Sequence, residues 1–244
     1  MTVFVFVLAL LSNLSVNTAE SAEPLDISSV FISPLSNPEG TGMIDIIVTK
    51  AFSRLGIKAV IVPSNRKEAL EKADKGLYDG DLLRVGDIIT PKYPNLIAVP
   101  ETLYTFEFVA FSKNFDIPIA GWESLKPYRI GIPENAVILI NSLSEQNVKA
   151  LIKFISIFDM FNSLVKGETD IVIHERLMGY EQIRQSDMSS IHVLEPPVVS
   201  KPMFLYLHKK HQDLVPKVEA VFKDMKKDGT IPKLLAETLE KYKK

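Results

Sequence analysis

The stretch KAVIVPSNRKEALEKADKGLYDGDLLR, residues 58–84, holds the pattern that decides the fold. Lys58 to Val62 is a short run rich in β-branched residues and reads as a strand, stopped by Pro63. Ser64 or Asn65 can cap the helix that follows, Arg66 to Lys75, and Gly76 ends it. Asp79 to Leu83 then reads as the next strand. A strand, a capped helix and a second strand in so few residues is the repeating unit of an α/β protein.

The same alternation extends outward in both directions. Upstream, Ile27 to Ser33 reads as a strand before a Pro/Ser/Asn turn, and Gly40 to Gly42 opens a helix. Ile44, Ile47, Val48, Ala51, Phe52 and Leu55 recur at helical spacing until Gly56. Downstream, Leu96 to Val99, Phe106 to Ser112, Arg129 to Ile132, Asp170 to Ile173, Ile191 to Leu194 and Met203 to Leu207 read as strands. Ser156 caps a helix that runs through Val165 to Gly167. Two helices, Leu214 to Lys227 and Ile231 to Tyr242, flank Asp228-Gly229 at the end. Such alternation predicts an α/β fold with largely parallel sheets. No Gly/Ser-rich linker separates two halves, so a second lobe is expected as an insertion joined by strands.

Composition narrows the function. The chain has 244 residues, is 46% hydrophobic and carries a formal net charge of −2. That balance gives no footing for nucleic acid. It has no cysteine, which excludes disulfides, thiolate metal sites, cysteine nucleophiles and lipidated cysteine anchors. Val3 to Leu11 is an apolar run too short to span a bilayer. Small and polar residues follow to Ala22, so residues 1–22 are expected to be a signal peptide cleaved near Ala19 to Ala22, directing the chain to the periplasm. No Lys or Arg precedes the run.

Three stretches, in order, resemble the bacterial extracellular solute-binding proteins of family 3, the type II periplasmic binding proteins that serve ABC transporters. The first is Pro63-Ser64-Asn65-Arg66 with Ala69-Leu70 and Gly76-Leu77-Tyr78-Asp79-Gly80-Asp81. The second is Gly121 to Ile132, and the third is Phe158 to Leu164 followed by Lys166 to Ile173. The resemblance implies a two-lobed fold, each lobe a mixed, mostly parallel sheet flanked by helices, joined by two crossover strands. Residues 24–110 plus 199–244 would form lobe one and 111–198 lobe two, with crossovers near Val109–Phe111 and Val198–Pro202. It further implies a monomer that closes on a small polar, carboxylate-bearing, amino-acid-like molecule and delivers it to a membrane ABC permease. The other expectations are a sensor accessory docking on a membrane kinase, or a dehydratase-like enzyme on the same fold.

The candidate ligand-binding residues are Arg66, Arg84, Glu175, Tyr104, Phe31 and Asn135. Arg66 opens a helix, where a guanidinium and backbone N–H groups suit an anion. Arg84 would clamp a carboxylate, with an ion pair to Asp79, Asp81 or Asp87 as its structural alternative. Glu175 would pair an ammonium group unless Arg176 neutralises it. Tyr104 and Phe31 would form walls. Asn135 stands where relatives place hydroxyls after a strand, which argues against a plain α-amino acid. Asp170 reads as structural and Trp122 as packing.

No catalytic residue, metal site or cofactor is expected, and the chain reads as a binding protein. His208 and His211 are separated by two lysines, which disfavour a bound cation, and read as surface residues. No HExxH, P-loop, GxGxxG or G-x-S-x-G motif is present. His174-Glu175 is the one adjacent acid–base pair an enzyme would draw on.

Overall fold

Residues 23–85, 91–143 and 148–243 of the chain are described in a computed structural model, apart from the side chains of Arg66 and Lys67. The expected signal peptide, Asp87 and Lys244 lie outside these residues. The strands are β1 (Leu25–Ser29), β2 (Ala59–Pro63), β3 (Gly80–Val85), β4 (Leu96–Ala98), β5 (Tyr104–Ser112), β6 (Arg129–Pro133), β7 (Ala150–Phe154), β8 (Ile171–Glu175) and β9 (His192–His208). The helices are α1 (Met43–Arg54), α2 (Arg66–Asp74), α3 (Val137–Ser142), α4 (Ile157–Lys166), α5 (Arg176–Gln185), α6 (Val215–Lys227) and α7 (Thr230–Lys243).

The strands form one curled sheet in the order β2-β1-β3-β9-β5-β8-β6-β7, with β4 also on β9. Its two ends are parallel: β1 pairs with β2 and β3, and β6 with β7 and β8. Its middle is antiparallel, where β3, β4 and β5 pair with β9 and β5 with β8. The fold is therefore two-lobed, with β5 and β9 running between the lobes.

Packing explains why the two ends are separate lobes. Around β1, β3 and β9, Ile27, Ile44, Ile47, Val48, Phe52, Leu205 and Phe222 are fully buried in one cluster. In the other lobe, Ile171 and Ile173 face a cluster with Ile130, Ile132 and Leu125, while Val172 faces one with Phe111, Phe161 and Leu164. A strand covered on both faces reads as a continuous apolar run, which is how Ile171-Val172-Ile173 reads.

Local signals held where the caps are strong. Asn65 accepts the N–H of Glu68 at 2.9 Å, and Ser156 accepts that of Asp159 at 3.2 Å. Gly167 closes α4 in the left-handed region at φ 72°. Several expectations need correction. The first strand ends at Ser29, because residues 30–36 turn back through a bridge between Ile32 and Ser36. Ile191–Leu194 and Met203–Leu207 are not two strands but parts of β9. Its pairing with β5 shifts between Phe108 and Ala110, and this irregularity accommodates Pro196 and Pro197. The elements β7, α3 and α5 had not been anticipated.

Helix α5 is seated on the sheet through Gly179. A Cβ there would lie 2.1 Å from Cζ of Phe111, which is fully buried. Gly179→Ala is therefore expected to destabilise the chain by about 1–3 kcal/mol through overpacking. A denaturation midpoint unchanged from wild type would show that α5 can lift without cost.

Candidate functional site

Strand alternation and one bulge build the first half of the site. In a regular strand, residues three apart point to opposite faces. Asp81 pairs in register with Tyr206 and Arg84 with Phe204, so β3 carries an extra residue between them. Leu83 takes it up at φ 58°, an unusual conformation for a branched side chain. The parity flip lets Asp81 and Arg84 meet: Arg84 Nε donates to Asp81 Oδ2 and Nη2 to Oδ1 at 3.3 Å. Asp81 is fully buried and Arg84 is 5% exposed. Ser28 Oγ donates to Asp81 Oδ1 at 2.7 Å and anchors the carboxylate from β1. Of the alternatives weighed for Arg84, the pair with Asp81 is therefore present. It engages Nε and Nη2 of a group with five N–H donors.

The second half stands on β8 and α5. Glu175 ends β8 and caps α5, accepting the Met178 N–H at 3.0 Å on Oε2. Its Oε1 accepts the Tyr104 hydroxyl at 2.8 Å. Glu175 is 1% exposed, and burial pushes its carboxyl up to about 7 against these hydrogen bonds. The same burial, with the Glu175 carboxyl opposite, raises the Tyr104 phenol, which stays protonated. Arg176 does not hydrogen-bond Glu175. It donates to Glu107 Oε2 at 2.6 Å and to both oxygens of Glu195 at 2.6 and 3.0 Å, tying α5 to β5 and β9. Burial opposes its charge, but those carboxylates outweigh it and hold the guanidinium protonated.

Register brings the two halves together. Val85 and Tyr104 are both paired opposite Met203 of β9. Strands lie about 4.8 Å apart, so Tyr104 is roughly 10 Å from Val85 across the sheet. The loop after β1 carries Phe31, which is half-buried. It is pinned where Ser29 Oγ meets Ser36 Oγ at 2.8 Å and Ser36 Oγ donates to buried Asp45 at 2.6 Å. Burial raises the Asp45 carboxyl. Arg66 opens α2 just beyond the end of β2, and exposed Asn135 follows β6. Arg66, Phe31, Asn135 and Glu175 thus stand at or just beyond the carboxyl ends of parallel strands, with Arg84 one residue from the end of β3. Crevices for ligands open there in α/β sheets.

Some contacts that shape the site were not anticipated. Leu177 of α5 is 4% exposed and packs into the lobe-one cluster. Ser33, after β1, donates to Glu181 of α5 at 2.6 Å, and the Arg184 guanidinium lies 5.0 Å from the Tyr242 ring. Helix α5 is the surface on which the lobes meet. No local motif announces it, because its apolar contacts are split between two lobes.

His174 and Glu175 do not form an acid–base pair on β8. His174 and Glu175 alternate, so His174 turns to the opposite face, its ring 6.4 Å from that of Phe161. Burial pushes the His174 imidazole down to about 4, and it stays neutral. His211, read as a surface residue, instead meets Asp79 at 2.6 Å. Asp170 is structural as expected, accepting the Arg129 N–H at 2.8 Å and its guanidinium at 2.6 Å. Trp122 is packed against the lobe-two cluster. Among the described residues no group of three or more His, Asp or Glu is placed to hold a metal ion, and no helix is long and apolar enough to cross a membrane.

No protein-family model matches the chain. An uncharacterized protein of Shewanella oneidensis is 26% identical over 196 residues, covering 76% of this chain and 71% of that protein. Solved structures share the fold at low identity. A probable amino-acid ABC transporter extracellular-binding protein, ytmK of Bacillus subtilis, superposes with a TM-score of 0.74 at 14% identity, over 89% of this chain and 97% of that one. The ligand-binding core of GluR0 in complex with L-glutamate gives 0.72 at 14% identity, over 91% and 99%. A histidine kinase sensor domain with similarity to periplasmic binding proteins gives 0.69 at 12%, over 90% and 97%.

Proposed function

We propose that the protein is an exported solute-binding protein that captures a small, carboxylate-bearing, amino-acid-like molecule between its lobes and presents it to a membrane permease. The observation that carries this reading is the pre-set guanidinium of Arg84. Asp81 and Ser28 fix its position one residue from the carboxyl end of β3, and in this reading the guanidinium serves there as an anion clamp. Tyr104, Phe31 and Asn135 would line the cleft, Arg66 would add a second cation, and Glu175 would meet any positive group on the solute. In this reading residues 24–110 with 199–244 form lobe one and 111–198 lobe two, and β5 and β9 act as the hinge. The solute would favour closure to the extent that it binds the closed form better.

The test is a thermal-shift and calorimetry screen of amino acids, organic acids, polyamines, peptides and sugars. A solute at 100 times its Kd is expected to add about 2.7 kcal/mol of stability. Arg84→Lys keeps a cation beside Asp81 but loses the planar fork, and is expected to weaken a carboxylate ligand about tenfold or more. Silence across the whole panel would overturn the reading. Affinity for a carboxylate unchanged in Arg84→Lys would remove Arg84 from the site.

A further inference from the structure

Three large apolar side chains are left in water at one place in lobe two. Val137 is 61% exposed, Ile155 86% and Phe158 48%. They sit on the loops that leave the carboxyl ends of β6 and β7, two strands in direct parallel register through Pro133 and Phe154. The loops themselves are joined, since the Glu134 N–H donates to the Phe154 carbonyl at 2.9 Å. Val137 is the first residue of α3, and Ile155 and Phe158 bracket the start of α4. Single exposed apolar residues are ordinary, but a group on adjoining loops marks a binding surface. This end of lobe two faces lobe one, because Glu175 ends the neighbouring β8, and both Tyr104, whose hydroxyl it accepts, and Leu177 of α5 pack into the lobe-one cluster.

Among the described residues, three charged groups near the crevice already have partners. Asp81 holds Arg84, Tyr104 and the α5 N-terminus hold Glu175, and two carboxylates hold Arg176. Arg84 keeps further N–H donors for the carboxylate shared by the whole class, so discrimination among solutes falls on the apolar groups around it. We infer that the solute carries an apolar side chain or ring, and that Val137, Ile155 and Phe158 form the lip on which this body rests as the lobes close. The inference rests on the solute-binding reading and specifies its ligand class.

The experiment compares L-leucine and L-phenylalanine with L-serine, L-glutamate and L-arginine, by thermal shift and calorimetry. It uses wild type, the double variant Ile155→Ser/Phe158→Ser, and the rescue variant Phe158→Leu. The first two compounds are expected to bind, and the double variant to lose about ten- to hundredfold of that affinity, the discrimination one or two apolar contacts supply. Phe158→Leu is expected to retain most of it. Because both side chains are exposed, the unliganded melting temperature of the double variant should stay near wild type. Binding of serine, glutamate or arginine alone would overturn the inference and leave the solute-binding reading standing. Unchanged affinity for leucine or phenylalanine in the double variant would also overturn it. If none of the five binds and the wider panel is silent as well, the solute-binding reading falls and the inference with it.

Discussion

Replacing Asp81 by alanine is expected to lower stability by about 3–5 kcal/mol, because it leaves the Arg84 charge buried without its partner. For a chain of this size that corresponds to a fall in melting temperature of roughly 6–20 °C. The side chains of the pair are 0% and 6% exposed, so water cannot take the place of the lost carboxylate. Ser28 would lose the closer of its two acceptors and keep the Gly80 carbonyl at 3.1 Å. The double variant Asp81→Leu/Arg84→Met is expected to recover most of the loss, since apolar residues of similar volume replace a buried ion pair at little or no cost. It should nevertheless fail to bind a carboxylate solute. Differential scanning calorimetry of the two variants checks the stability, and titration calorimetry the binding. A single variant as stable as wild type would mean that Arg84 turns out to solvent through the Leu83 bulge. A double variant that still bound the solute would place the anion on another cation, with Arg66 the first to consider.

That bulge also marks where the sequence stopped being legible. The run from residue 58 to 85 shows strand, cap, helix and strand, and Asn65 and Gly76 act as those residue types do in most proteins. Asp81 was readable as one of three partners for Arg84. Strict alternation, however, would set residues 81 and 84 on opposite faces, and only the unusual backbone at Leu83 reverses this. Nothing in Leu82-Leu83 signals it, since neither residue favours positive φ. The α5 helix was hidden for a different reason. Leu177 packs into lobe one, while Gly179 sits on Phe111 of β5. A helix serving two cores shows no single apolar stripe. In β9, Pro196 and Pro197 lie where the pairing with β5 shifts, and Pro202 pairs in register with Thr105, so one strand runs through all three. Glu175 was legible as a site candidate, but no local pattern showed that it would cap a helix and accept the Tyr104 phenol.

Glu175→Gln is expected to change how stability depends on pH. The carboxyl titrates near its ordinary 4.5 when unfolded and near 7 when folded, because burial disfavours its charge. Between these limits the folded chain holds a proton that the unfolded chain has released. Stability contributed by this group is full below pH 4.5 and declines as pH rises through 7, by about 3 kcal/mol at 1.4 kcal/mol per tenfold. His174, one residue earlier, has the opposite sign. Its imidazole falls from 6.5 to about 4 on burial, so the unfolded chain binds the extra proton and stability rises with pH across that range. The two slopes offset each other between about pH 4.5 and 6.5 in wild type. Glutamine at 175 removes one of them. The variant is expected to gain stability relative to wild type with increasing pH, provided its amide carbonyl keeps the Met178 N–H. Urea denaturation at pH 4.5, 6 and 8 measures this, and curves that stay parallel at all three values would count against a neutral Glu175 in the fold. The proton also reports on the solute. An ammonium group set against Glu175 would favour the carboxylate, so binding at pH 6 would release close to one proton, visible as a buffer-dependent enthalpy. A solute held by Arg84 and the apolar lip alone would bind with none released from Glu175, and the phenol of Tyr104 would keep its hydrogen bond to a neutral acid.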